Sequence, residues 1–324
     1  MTRLLPGLLL VLAACTPAPS PSAADVEPAV ARLVLAHEQL DAAYVLPAAA
    51  IEVDGLVHLW VLAFTGEEGE SPRVVHLTSA DGTAWNEDGA APLFDGELGF
   101  DAIGPVPSSV LVEADGTWRM FGGGRTAEGD RPVVWTASAP SPAGPWTLRE
   151  DPALQPEGAG WDGMVTDHPS VVTTADGYLM AYGGAGAPDS NRNRIGFATS
   201  ADGIGWERVP ATLDGADDTL ALGPSACGID ARSMVEPTLL ETDAGLRLYF
   251  GAMRTGADVM VIGAAHSEDG AAWTCPEAGP VIEPSCFPES PDLHSYLAVR
   301  AGDRDLLLVE VLGPGSSDVW LVER

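Results

Sequence analysis

The sequence predicts an all-β chain, a five-bladed β-propeller of four-stranded antiparallel blades, on three observations. First, one pattern recurs five times: an apolar run, a tight turn, and a second apolar run ending in small residues. The copies start at Pro47, Pro107, Pro169, Pro237 and Ser295, spaced 60, 62, 68 and 58 residues apart. Each reads as two strands around an Asp/Gly turn, and several strands per period of this size is propeller spacing. Second, a box of the form Ser-x-Asp-Gly-x-x-Trp follows each of three starts by about 30 residues, at Ser79–Trp85, Ser200–Trp206 and Ser267–Trp273, with a variant at Ser138–Trp146 in the second unit. Asp accepts bonds from its own loop, Gly takes positive φ, and Trp plugs the gap beside the next strand. Third, the fifth unit ends one strand short, at Asp318–Val322. An open sheet edge is a liability, so Val30–Leu35 is expected to supply the missing outer strand and close the ring.

The ends carry separate information. Arg3, the apolar run Leu4–Ala14 and Leu12-Ala13-Ala14-Cys15 read as a bacterial lipoprotein leader over residues 1–14, too short to span a bilayer as a helix. Residues 15–25 are then a lipidated Cys15 followed by a Pro/Ser tether, and 26–324 the propeller domain. The sequence thus describes an exported, membrane-anchored chain, monomeric, with Thr16 after the Cys pointing to the outer membrane of a Gram-negative envelope.

The net charge is −31 and every one of the 16 basic residues is Arg. Phosphate backbones would be repelled, so nucleic acid is excluded as a partner and the membrane is met only through the lipid. Three Cys remain beyond Cys15. Cys227 and Cys286 occupy similar places before the inner strands of units four and five, and a Cys227–Cys286 disulfide is the expectation in an oxidising compartment.

Inner strands line the channel of a propeller. The residues one position before each start are therefore one ring: Leu46, Val106, His168, Glu236 and His294, with Asp167 beside His168. The loops entering these strands add Asp101, Trp161, Asp162, Asp230, Arg232 and Asp292. Acids, an Arg and an aromatic at one mouth suit a sugar, since carboxylates bind hydroxyls and perform acid/base work while Trp stacks on the ring. His168, Glu236 and His294 would also suit a divalent cation in the central channel, although no cofactor is required by this reading.

Five blades, the Ser-x-Asp-Gly-x-x-Trp box, the Ser-Pro-x-Gly-Pro-Trp variant and Asp/Glu-x-Pro inner strands resemble the five-bladed propeller glycosidases: arabinanases, β-xylosidases, invertases and levansucrases. The resemblance covers residues 40–324 or so. It implies Glu236, in Met234-Val235-Glu236-Pro237, as general acid and Asp167 as the Asp that tunes it. It also implies a first-blade Asp where this chain has Leu46, so a base must come from Asp101 or Asp292, or catalysis has been lost and binding kept. Two functions follow: a glycoside hydrolase-like envelope lipoprotein, or a non-catalytic propeller binding a glycan or protein partner at its mouth.

Overall fold

The computed structural model describes residues 13–14, 30–67, 72–88, 106–125, 131–158, 160–186, 193–213, 226–276, 279–289 and 291–324. It is a ring of five antiparallel blades. Blade one is Tyr44–Val53, Leu56–Phe64, Arg73–Ser79 and Asn86–Glu87. Blade two is Val106–Val112, Trp118–Arg125, Pro132–Ala139 and Thr147–Leu148. Blade three is Val165–Thr174, Gly177–Ala185, Arg194–Ser200 and Glu207–Val209. Blade four is Ala231–Thr242, Gly245–Arg254 and Met260–Ser267; its outer edge is a bridge between His266 and Thr274, and Ala272–Trp273 pairs in parallel with Thr212–Leu213. Blade five is Leu293–Ala301, Arg304–Gly313 and Ser316–Glu323, completed by Val30–Leu35 through the pairs Arg32–Leu321, Leu33–Trp320 and Leu35–Val319. The N-terminal strand closes the ring as its sequence position predicts. Ala13–Ala14, inside the segment read as a leader, adds a short strand outside it.

The core is not one mass but five clusters, one at each junction between neighbouring blades. The four box Trp residues occupy equivalent places, each packing back towards the preceding blade. Trp85 joins the blade five–one cluster, Trp146 the one–two cluster, Trp206 the two–three cluster and Trp273 the three–four cluster. The turns that place them behave alike: Ser79, Ser200 and Ser267 each accept the N–H of the following Gly at 2.9 Å. Asp81, Asp202 and Asp269 collect the loop N–H groups beyond, and these bonds hold Asp81 at about 2 and the other two below the usual carboxylate range.

Cys227 is disulfide-bonded to Cys275, with Cα atoms 5.2 Å apart, and not to Cys286. Burial of Trp273 in the three–four cluster carries Cys275 to Cys227, which belongs to the same cluster. Cys286 sits in the four–five cluster and takes no part in that bond.

Inner strands touch in the order one to five and back to one, so they enclose the channel. Every one of them shifts register at the same place: Pro47/Ala49, Pro107/Ser109, Asp167/Ser170, Val235/Thr238 and Leu293/Tyr296. A bulge re-aims the side chains beside it, and here it does so once per blade around the axis.

Candidate active site

The bulges put the predicted ring at one end of the channel. A cavity of about 220 Å³ is lined there by Leu46, Val106, His168, Glu236 and His294, with Leu62, Pro47, Pro107 and Tyr296 among their neighbours. The wall from blades one and two is apolar apart from Ser108; that from blades three, four and five carries the titratable groups. At its other end the channel opens into a space of about 420 Å³ bordered by Glu52, Glu241 and Arg300.

Two of the ring residues are strained. His168 has φ +47° and Glu236 φ +51°. Each precedes a Pro, whose ring disfavours the ordinary helical conformation, and positive φ is uncommon for any residue other than Gly. Such conformations cost of order 1–3 kcal/mol and persist where surrounding bonds enforce them. At His168 the enforcing bond is its own N–H donated to Asp167 Oδ1 at 2.8 Å. At Glu236 it is Tyr296, whose hydroxyl donates to the Glu236 carbonyl at 2.6 Å while its N–H donates to Glu236 Oε2 at 3.3 Å.

Carboxylates and imidazoles alternate around the polar wall. His168 Nδ1 is 3.4 Å from Asp167 Oδ2, and its Nε2 is 4.0 Å from Glu236 Oε1. His294 Nδ1 lies 2.8 Å from Glu310 Oε2. Burial pushes the Glu236 carboxyl above its ordinary range; His168, His294 and the Tyr296 N–H oppose this, and Glu310 adds to it. Asp167 stands directly beside His168, holding both its N–H and its Nδ1 side. Burial pulls that imidazole down, and Asp167 and Glu236 together outweigh it, so His168 ends above its ordinary value.

The loop residues fare differently. Trp161 is spent on blade three: it stacks on Tyr182, ring centres 5.6 Å apart, and lies against Gly184 and Gly196, where a Cβ would stand 2.5 Å from its ring. Asp162 is buried and accepts bonds from the Tyr182 hydroxyl at 2.9 Å and Arg208 Nε at 2.7 Å. Arg232 donates to Asp258 at 2.6 Å, and Asp230 accepts from the Thr255 hydroxyl at 2.8 Å. Asp292 is exposed, its carbonyl accepting the Leu312 N–H at 3.1 Å. None of these five borders the 220 Å³ cavity. Asp101 and Cys15 lie outside the described residues.

Among the described residues, the three groups whose donor atoms converge closely enough for a metal ion are His37, Glu38 and Asp318, at the blade five–one closure. His168, Glu236 and His294 do not converge in this way, and their imidazoles are turned to carboxylates. The sequence pattern did not single out Glu310. Its only signal was one acid inside the apolar run Leu306–Leu312.

No protein-family model and no curated protein matches the chain. Solved structures do. It is similar to a GH130 glycoside hydrolase of a study on β-1,2 mannosidic linkages in Candida mannan, at 18% identity and TM-score 0.63, covering 86% of this chain and 84% of that one. A glycosyl hydrolase from Bacteroides ovatus aligns at 18% identity and TM-score 0.62, with 86% and 84% covered. A thermostable family-43 glycoside hydrolase aligns at 14% identity and TM-score 0.64, with 87% and 89% covered. Likeness at these identities shows the shared propeller fold.

Proposed function

We propose that the channel mouth is a carbohydrate-binding cleft in which Glu236 serves as general acid, making the protein a glycoside hydrolase-like propeller. The observation that supports this most directly is Glu236 itself: a carboxyl kept towards its protonated form by burial, held at two points by Tyr296, and open to a cavity with one apolar and one polar wall. The apolar wall of Leu46, Leu62 and Val106 suits the C–H face of a sugar, and the polar wall its hydroxyls. The fold shared with glycoside hydrolases points the same way. As further parts of this proposal, Cys15 carries the lipid, the mature chain is a monomer held at the cell envelope, and the mouth meets carbohydrate there.

Leu46 favours a second reading, binding without turnover, because among the described residues no first-blade carboxylate borders the cavity with Glu236. Substitution Glu236→Gln separates the two. Under the enzymatic reading the wild type turns over aryl glycosides and the variant loses roughly 10²–10⁴-fold in kcat while still binding sugar. Sugar binding by both proteins with turnover by neither selects the binding module. Failure of every sugar to bind overturns both.

A further inference from the structure

The titratable groups bordering the cavity are His168, Glu236, His294 and Tyr296. Tyr296 is committed to Glu236. His168 has a carboxylate towards each ring nitrogen, Asp167 at Nδ1 and Glu236 at Nε2. His294 differs. Its Nδ1 is held by Glu310, which is 1% exposed, whereas the imidazole itself is largely open to the mouth and, among the described residues, its Nε2 has no hydrogen-bond partner. A buried carboxylate at one nitrogen fixes the tautomer and leaves the other nitrogen as a proton acceptor facing the cavity.

We propose that His294 is the general base of this site and Glu310 its positioning residue, so that an imidazole does from blade five what Leu46 cannot do from blade one. The proposal rests on the reading of Glu236 as acid. In the step it implies, His294 Nε2 takes a proton from water as the water oxygen bonds to the anomeric carbon. The bond from that carbon to the leaving oxygen breaks, and the leaving oxygen takes the proton of Glu236. The products are a sugar of inverted anomeric configuration and a free alcohol. The imidazolium then returns its proton through solvent to the Glu236 carboxylate.

The charges facing His294 are Glu310 from the second strand of its own blade and Glu236 from blade four, with His168 beyond Glu236 and exposed Asp292 at the entry to its own strand. The Glu310 hydrogen bond raises the imidazole above its ordinary value, burial opposes this, and Glu236 adds to the rise. The productive form has the proton on Glu236 and a neutral His294, so the two limbs of the pH profile belong to the pair rather than to either residue.

The test uses the full chain, a panel of aryl glycosides with proton NMR of the released anomer, and calorimetry with the matching thioglycosides, which bind without being hydrolysed. Expected are inversion by the wild type and a roughly 10²–10⁴-fold loss of kcat in His294→Gln with KM and thioglycoside affinity retained. In Glu310→Gln the amide keeps the bond and removes the charge that raises His294, so the kcat/KM profile shifts to lower pH. Retention of configuration, wild-type turnover by His294→Gln, or an unmoved pH profile in Glu310→Gln would overturn the proposal. Turnover lost in Glu236→Gln but kept in His294→Gln overturns it alone. Absence of turnover by the wild type overturns it too, while thioglycoside binding then keeps the cleft a sugar site. His294 is exposed, so its variant is expected to fold even if Glu310→Gln does not.

Discussion

A Cβ on Gly123 would stand 1.6 Å from Asp167 Oδ1. The bare backbone of blade two is thus what leaves room for the carboxylate that holds His168 in its strained conformation. Gly123→Ala should evict that carboxylate, costing about 1–3 kcal/mol by overpacking. With Asp167 gone from its side, the His168 imidazole should titrate at lower pH than in the wild type. Histidine NMR titration of both proteins checks this, and an unchanged His168 curve would count against it.

Tyr296→Phe removes the hydroxyl that donates to the Glu236 carbonyl but keeps the ring in the four–five cluster. A loss of about 1 kcal/mol in urea unfolding is expected for the bond. Because the strain at Glu236 is then less firmly enforced, its pKa should move as well. A variant with wild-type stability and an unmoved Glu236 titration would show that Tyr296 does not hold the acid.

A buried imidazole pair sets a pH limit on stability. His58 Nδ1 and His76 Nε2 are 3.0 Å apart at the blade one–two junction, stacked with Trp60 and beside Trp118. Burial, then the neighbouring His58, lowers His76 to about 4 from 6.5, with Asp88 opposing. Between these values the unfolded chain binds the proton and the folded chain does not, so the contribution is full above 6.5 and is lost as pH falls towards 4. The loss from this group is about 3 kcal/mol. Urea midpoints across that range should fall steeply in the wild type and less so in His76→Gln; parallel curves would refute the assignment.

Removing the Cys227–Cys275 bond, which spans 48 residues of chain, should cost about 4 kcal/mol through the unfolded state. The double Ser variant measures this. Peptide mapping of the unreduced protein should recover the two Cys on one linked pair, and a Cys227–Cys286 pair in its place would contradict the structure.

Labelling with a palmitate analogue should mark the wild type and not Cys15→Ala. Equal labelling of both would remove the proposed lipid anchor.

Repetition is what made the fold legible. Four in-phase Trp residues and five strand starts aligned Leu46, Val106, His168, Glu236 and His294 onto one ring, and the structure places all five around one cavity. Equivalence says nothing about loops. Trp161 and Asp162 were placed at the mouth by proximity in sequence, but Tyr182 and Arg208, which hold them, come from neighbouring strands of blade three. Equivalence also misled for the cysteines, since matching positions in adjacent blades fall in different clusters. Glu310 was silent because burial of one acid in an apolar strand is decided by the blade beside it.

The backward reach of each box Trp has a consequence for how the molecule comes apart. In a linear array the end repeat has one neighbour and frays first. Here every blade has two, and the four–five junction, without a box Trp, is filled by Phe287 and Trp320 packed edge to face at 6.1 Å. No blade can leave without opening two clusters at once. Unfolding should therefore be a single cooperative event, with the amides flanking Trp60, Phe121, Phe197, Phe250 and Leu308, one from each blade, exchanging at a common, global rate.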